Sequence, residues 1–236
     1  MLLYGVCGAV MKERFRCLTF DCYGTLVDWE SGIKNTIRTI LSDKGINGDI
    51  EQLYRVREDL EFDLIQSTYR RYREILALSL KETFAQFHLP YSNRDGERLA
   101  ESVPSWPVFP DTLPSLTRLG RMSKLCIISN IDRDIIARTK DKIGVRFDAT
   151  VTAQEARSYK PSIRPFQLAL QKLKVKSTEV LHISSGFRYD IPPAKQLGLR
   201  TAWVNRKREM APAGYTADYV FNNLTDLTQS LEEPGN

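Results

Sequence analysis

Phe20-Asp21-Cys22-Tyr23-Gly24-Thr25-Leu26 closes the apolar run Phe15-Arg16-Cys17-Leu18-Thr19-Phe20, and its reading decides the fold. The run has the length and composition of a buried strand, and Gly24 marks a tight loop just beyond it. One carboxylate, Asp21, therefore stands where a buried strand runs into a turn. In an open α/β sheet the carboxyl ends of the strands form the ligand crevice. A carboxylate there carries a desolvation cost unless it has partners or chemistry to perform. A loop-capping aspartate is the ordinary alternative for D-x-x-G; the rest of the chain weighs against it.

Working outward, short β-like runs recur at Lys124-Leu125-Cys126-Ile127-Ile128-Ser129, Ala149-Thr150-Val151-Thr152, Val180-Leu181-His182-Ile183-Ser184, Thr201-Ala202-Trp203-Val204 and Asp218-Tyr219-Val220-Phe221. Helical patterns separate them near 112–121, 133–143, 163–174 and 190–198. This alternation predicts a parallel sheet covered by helices, with strands apolar on both faces. One interval breaks the pattern. From about 31 to 103 there are only long, charged, amphipathic segments, Glu51–Ser67 and Thr68–Phe87. In the second, Tyr72, Ile75, Leu76, Ser79, Leu80, Thr83, Phe84 and Phe87 recur at helical spacing, the mark of a helix-bundle core. Pro104-Ser105-Trp106-Pro107-Val108-Phe109-Pro110 reads as a stiff linker back. The expected fold is α/β: a Rossmann-like parallel-sheet core, 11–30 and 108–236, with an all-helical cap, 31–107, inserted after the first strand.

The 236 residues suffice for such a core and insert, and 42% hydrophobic residues suit a globular chain. Net charge is +5, with Lys and Arg dispersed apart from Arg206-Lys207-Arg208. No nucleic-acid motif accompanies them, so nucleic acid is not expected. A modest positive potential suits a small anionic substrate. Cys7, Cys17, Cys22 and Cys126 form no C-x-x-C pair and read as buried thiols of a reducing cytoplasm. Cys22 adjoins Asp21 but has no histidine nearby in sequence to activate it. Met1–Val10 is apolar but short and lacks a basic leader, which makes a poor signal peptide; Met11-Lys12-Glu13-Arg14 is an alternative start. No apolar run approaches the length that spans a bilayer. There is no G-x-S-x-G elbow, no P-loop and no G-x-G-x-x-G after the first strand.

Four strand ends carry polar residues that a parallel sheet would bring to one edge: Asp21 with Thr25, Ser129 with Asn130, Lys160-Pro161 in the loop after the third strand, and Ser184-Ser185 with Asp190 at the next helix. Each alone has an ordinary reading as a loop cap, a helix N-cap or a solvated lysine. Together, in this order, they have a common use.

At these residues the chain resembles the haloacid dehalogenase superfamily along nearly its whole length. Asp21, Gly24, Thr25 and Leu26 match the first motif, Ser129 the second, Lys160-Pro161 the third, and Ser184-Ser185 with Asp190 the fourth. Phosphatases of that superfamily carry a second aspartate two residues after the nucleophile; here Tyr23 stands there, as in the 2-haloacid dehalogenase branch. Metal-dependent members usually place an acid where Ser185 stands. The resemblance thus implies an aspartate-nucleophile hydrolase needing no cofactor. Asp21 would displace halide from a small 2-haloacid, Lys160 would hold Asp21 ionised, and Thr25 and Ser129 would hydrogen-bond around it. Asp190 would activate the hydrolytic water. Tyr23, Asn130, Ser184 and Ser185 would line the substrate, Asn130 donating to halide or carboxylate. The family supplies a halide-binding arginine from the cap, for which Arg55 and Arg57 are the candidates, with Arg55 preferred.

Departures accompany the match. Phe166 stands where the third motif of those dehalogenases has tyrosine, Gly186 where an asparagine follows the serine pair, and Asp190 lies one residue farther on. Two alternatives remain at this stage: a Mg²⁺-dependent small-molecule phosphatase and a non-catalytic member of the fold. A homodimer is compatible with either enzyme reading.

Overall fold

The computed structural model describes residue 11 and residues 13–233; the expectations for Met1–Val10, Cys7 and the start around Lys12 lie outside the described residues. Six strands form one parallel sheet: β1 (Cys17–Phe20), β2 (Lys124–Ser129), β3 (Ala149–Thr152), β4 (Val180–Ser184), β5 (Arg200–Val204) and β6 (Tyr219–Phe221), in the order β3-β2-β1-β4-β5-β6. Every residue of β1 and β4 is buried, as expected for central strands covered on both faces. Between β1 and the rest of the sheet come α1 (Trp29–Asp43), α2 (Ile50–Gln66), α3 (Tyr72–Gln86) and α4 (Asn93–Ser102). The remaining helices are α5 (Thr112–Leu119), α6 (Arg133–Ile143), the single turn α7 (Ala153–Ala156), α8 (Arg164–Leu173), α9 (Phe187–Gln196) and α10 (Leu224–Glu232). The chain is therefore α/β with a helical insert after the first strand. Among the described residues no helix is long and apolar enough to cross a membrane.

Alternation along β1 divides the core. Leu18 and Phe20 join Ile127, Ile183 and the insert's Ile33, Leu76 and Phe84 in one apolar cluster. Cys17 joins Cys126, Ile128, Val151, Phe166 and Val180 in another, on the opposite face. Phe20 is level with Ile127 and Ile183 across the ladders. The polar residues just beyond these strands therefore leave the sheet at one edge.

The insert departs from the expected pattern in one place. Helical spacing predicts a helix over Thr68–Phe87, but α3 begins only at Tyr72, after an extended Arg71. Arg71 gives no side-chain cap. Asp132, from the loop after β2, accepts instead from the backbone N–H of Tyr72 at 3.1 Å and of Arg73 at 3.2 Å. A helix start needs its orphan donors satisfied, and here a residue outside the insert satisfies them. The segment expected as a stiff linker contains a 3₁₀ turn at Val103–Ser105. Val108 then pairs antiparallel with Val27. Asp28 N donates to Pro107 O at 2.8 Å and Phe109 N to Leu26 O at 3.1 Å, so the two connections to the insert run side by side. Helix α10 is an element beyond the expected set; Leu224 and Leu227 bury its apolar stripe.

Candidate active site

The loop after β1 folds back on itself: Leu26 and Val27 N–H both donate to Cys22 O, at 2.8 and 3.0 Å, and Gly24 N donates to Val27 O at 2.7 Å. Gly24 has φ +99°, a conformation that side chains with a Cβ rarely adopt. A Cβ there would also meet Ser185 Oγ at 3.0 Å. The turn directs Asp21 to the sheet edge and returns Thr25 beneath it. Thr25 Oγ1 donates to Asp21 Oδ2 at 2.9 Å and accepts from Ser185 N at 2.9 Å. The loops after β1 and β4 are thereby pinned to each other through one hydroxyl.

Lys160 reaches the same point from the loop after β3. Its ammonium, 1% exposed as a residue, donates to Asp21 Oδ1 at 2.8 Å and to Asp190 Oδ1 at 2.6 Å. Asp190 lies in the first turn of α9, where an acid also complements the helix dipole. Its Oδ1 also receives His182 Nε2 at 2.9 Å, while His182 Nδ1 meets Thr19 Oγ1 at 2.9 Å. Thr19 and His182 are level across the β1–β4 ladder. A buried line thus runs Thr19, His182, Asp190, Lys160, Asp21, Thr25.

Its electrostatics derive from burial and charge. Burial pushes the Asp21 carboxyl above its ordinary value; the Lys160 ammonium opposes this and the Asp190 charge adds to it. Burial acts against ionisation of Asp190 too, but Lys160 and the His182 hydrogen bond outweigh it and hold that carboxyl below its ordinary value. For Lys160 the two carboxylates overcome burial, and the ammonium is held above its ordinary value. Burial pushes the Cys22 thiol well up, which removes it as a nucleophile.

A cavity of about 490 Å³ opens over Asp21. Tyr23, Ser129, Asn130, Lys160, Ser185 and Asp190 contribute to its floor, and Trp29, Tyr54, Glu58, Glu61 and Tyr72 of the insert to its roof. Asp21, Thr25, Lys160 and Asp190 are brought together as expected. Ser129 lines the cavity, 3% exposed, but among the described residues its hydroxyl makes no hydrogen bond to Asp21. Tyr23 lines it with its ring; its hydroxyl turns to Thr139 Oγ1 at 2.8 Å, and burial pushes that phenol well above its ordinary range.

Two expectations for substrate contacts, those for Ser184 and Arg55, are corrected. Asn130 lines the cavity, but its amide accepts from Lys160 N at 2.7 Å and donates to Lys160 O at 3.0 Å. It fixes the backbone of Lys160 with one N–H and its carbonyl, and its second N–H remains available at the cavity. Ser184 is fully buried, donates to Gly186 O at 3.3 Å and does not line the cavity; only Ser185 of the pair does. Arg55 lies on the exposed face of α2, away from the cavity. Its neighbour Arg57 is fully buried, paired with Glu61 and donating to Ser79 Oγ at 3.0 Å. Helix α2 turns carboxylates rather than a free arginine toward Asp21.

Residues outside the expected set complete the site. His182 orients Asp190. Glu58 lines the roof, where burial pushes its carboxyl up. Arg188 lines the cavity from α9, two residues before Asp190. Lys160 Nζ already stands between Asp21 and Asp190, and among the described residues no three His, Cys, Asp or Glu side chains cluster as ligands.

The sequence model of the haloacid dehalogenase-like hydrolases matches residues 15–198. (S)-2-Haloacid dehalogenase 4A of Burkholderia cepacia is 26% identical over 230 residues, 94% of this chain and 94% of its own. An (S)-2-haloacid dehalogenase of Pseudomonas sp. strain YL is 28% identical over 224 residues, 91% of this chain and 94% of its own. Among solved structures, an L-2-haloacid dehalogenase at 23% identity superposes with a TM-score of 0.85 over 94% of this chain and 100% of its own, a likeness of fold.

Proposed function

Because the chain belongs to the haloacid dehalogenase-like hydrolases, we propose that it hydrolyses a small 2-haloacid, with Asp21 as nucleophile and an aspartyl ester as intermediate. The observation that carries this reading is the ion pair of Asp21 with buried Lys160 on the floor of the cavity. A carboxylate can displace halide without a proton donor at the leaving group, whereas a phosphate ester's leaving oxygen needs one. The residue two places on, Tyr23, turns its hydroxyl to Thr139.

In the first step an Asp21 oxygen bonds to the halogen-bearing carbon as the carbon–halogen bond breaks, and halide leaves with the bonding pair. In the second, water attacks the ester carbonyl carbon of Asp21 and gives a proton to Asp190. Both hydrogen bonds to Asp190 fall on Oδ1, which leaves Oδ2 to receive it. Collapse of the tetrahedral intermediate breaks the bond to the substrate oxygen, which takes the proton back from Asp190 to leave as the 2-hydroxy acid, and Asp21, now carrying one oxygen from water, releases its remaining proton to solvent and is restored as a carboxylate. Lys160 keeps Asp21 ionised before the first step, and Thr25 and Asn130 hold the two reacting loops in place. Residues 31–107 serve as the cap and 11–30 with 108–236 as the catalytic core. The buried free thiols Cys17, Cys22 and Cys126 suit a reducing cytoplasm.

The test is halide release from 2-chloropropionate by the purified protein, with a chelator and with added Mg²⁺, beside phosphate release from phosphate monoesters. Halide release that survives the chelator supports the reading. In ¹⁸O-water, a single turnover with enzyme in excess should leave label in Asp21, and Asp21→Asn should abolish turnover with the circular dichroism spectrum unchanged. Label entering product directly in that turnover, or phosphate release that needs Mg²⁺ with no halide release, overturns it.

A further inference from the structure

Among the described residues the cavity is lined by four cationic side chains, all from the core, and three are already neutralised. Lys160 is held by Asp21 and Asp190. Arg206 is held by Asp111 and also donates to Thr25 O at 2.8 Å. Lys207 is held by Glu30. The fourth, Arg188, has no carboxylate within 4 Å among the described residues; its one polar contact is a long 3.4 Å approach to the Tyr189 hydroxyl. The guanidinium lies over the ring of Phe62 on α2, 3.8 Å from its centroid, and 5.2 Å from that of Tyr189. Stacking engages the face of a guanidinium and leaves its in-plane N–H donors free, the geometry that accepts a carboxylate through two parallel hydrogen bonds.

We propose that Arg188 is the carboxylate-recognition residue of this site, binding the carboxylate of the 2-haloacid while its halogen-bearing carbon lies against Asp21. This rests on the function proposed above and deepens it. The insert supplies no such cation: Arg55 points to solvent, Arg57 is consumed by Glu61 and Ser79, and Glu58 and Glu61 occupy the roof. An anion entering the cavity therefore meets one unneutralised positive charge, and it comes from the core. Arg188 stands two residues before Asp190 in the first turn of α9, so the same turn that holds Asp190 against Lys160 also sets a guanidinium on the cavity wall. Phe62 stacks it in position, so the side chain loses little further freedom when substrate arrives.

The experiment compares 2-chloropropionate with 2-chloropropionamide on the wild type and on Arg188→Ala, Arg188→Lys and Phe62→Ala. In parallel, calorimetry measures binding of L- and D-lactate, a 2-hydroxy acid that retains the carboxylate and has no halogen to react. For Arg188→Ala the KM for the acid should rise about tenfold to hundredfold, the range for loss of a charge-assisted pair. Its kcat should stay within about threefold, its KM for the amide within about twofold, and lactate affinity should fall with the acid KM. Arg188→Lys should recover part of the loss. Equal rises for acid and amide in Arg188→Ala and Phe62→Ala would mean that Arg188 merely props the insert, and would overturn the proposal. Unchanged lactate affinity in Arg188→Ala, or no lactate binding by the wild type, would also overturn it. Arg188-dependent lactate binding by a wild type that releases no halide would uphold this inference and defeat the dehalogenase reading instead.

Discussion

Lys160→Met removes the single cation shared by two buried carboxylates while keeping an unbranched side chain of similar reach. In the native protein the ammonium donates to Asp21 at 2.8 Å and to Asp190 at 2.6 Å, and all three residues are at most 7% exposed. Removing one partner of a buried ion pair costs about 3–5 kcal/mol, because the remaining charge is left uncompensated. Here two carboxylates are left facing each other, and proton uptake relieves part of the repulsion. Asp21 takes the proton, since burial and Asp190 already push its carboxyl up; each unit of further rise corresponds to about 1.4 kcal/mol. The expected loss near pH 7 is about 3 kcal/mol, or about 6–12 °C in Tm for a chain of this size. The pH dependence has a definite sign. Asp190, held below its ordinary value, contributes stability above the unfolded carboxyl pKa and loses it as pH falls through the folded one. The variant lacks that contribution, so the gap in Tm between wild type and variant should narrow from pH 7 toward pH 3. Activity should track Asp21: the acidic limb of the pH–rate profile should move upward, with at least a hundredfold loss of halide release near pH 7 and partial recovery in alkali. Scanning calorimetry and a profile from pH 5 to 10 read both. A Tm within 1 °C of wild type together with an unmoved acidic limb would refute the reasoning.

Asp132→Ala should leave the donors at the start of α3, Tyr72 N, Arg73 N and Arg73 Nε, without their acceptor, at about 1–3 kcal/mol; hydrogen exchange should quicken at residues 72–75, and unaltered exchange there would show that α3 holds its own start. His182→Phe keeps the buried volume but leaves Asp190 oriented by Lys160 alone. The ester hydrolysis step should slow about tenfold and covalently modified Asp21 should accumulate under substrate, detected by intact-protein mass spectrometry; unmodified enzyme with full turnover would argue against the orienting role. Glu58→Gln keeps the shape of the cavity roof and removes a titratable group whose carboxyl burial pushes up; the KM for an anionic substrate should lose whatever rise the ionisation of Glu58 causes as pH increases, and an unchanged KM–pH profile would place Glu58 outside substrate recognition.

The strands are legible in the sequence because a sheet buried on both faces demands apolar side chains at nearly every position, as in Cys17–Phe20 and Val180–Ser184. The convergence of Asp21, Thr25, Ser185, Lys160 and Asp190 is legible for a related reason. Parallel strands in register deliver the residues beyond their carboxyl ends to one edge, whatever the lengths of the helices between. Ser184 and Ser185 illustrate the limit: adjacent residues leaving a strand point to opposite sides, and only the level of β4 against β1 decides which one faces the cavity.

The arginines of α2 mark the same boundary more sharply. Ile50–Gln66 carries charge around much of its circumference, so its pattern leaves open which side faces the sheet edge. Packing against α3 settles the rotation, burying Arg57 beside Ser79 and leaving Arg55 in solvent. The Glu61 four residues after Arg57 is the one local sign of a pair on a shared face. His182 reads in sequence as one more residue of an apolar strand; its hydrogen bonds to Thr19 and Asp190 arise only from strand register and the approach of α9. By itself the sequence determined which backbone elements form and which strand ends meet, because those are set by periodicity and burial along the chain. Only the tertiary structure decided which charges are neutralised and which remain for substrate, because a side chain's free valence depends on partners that the chain brings from far away.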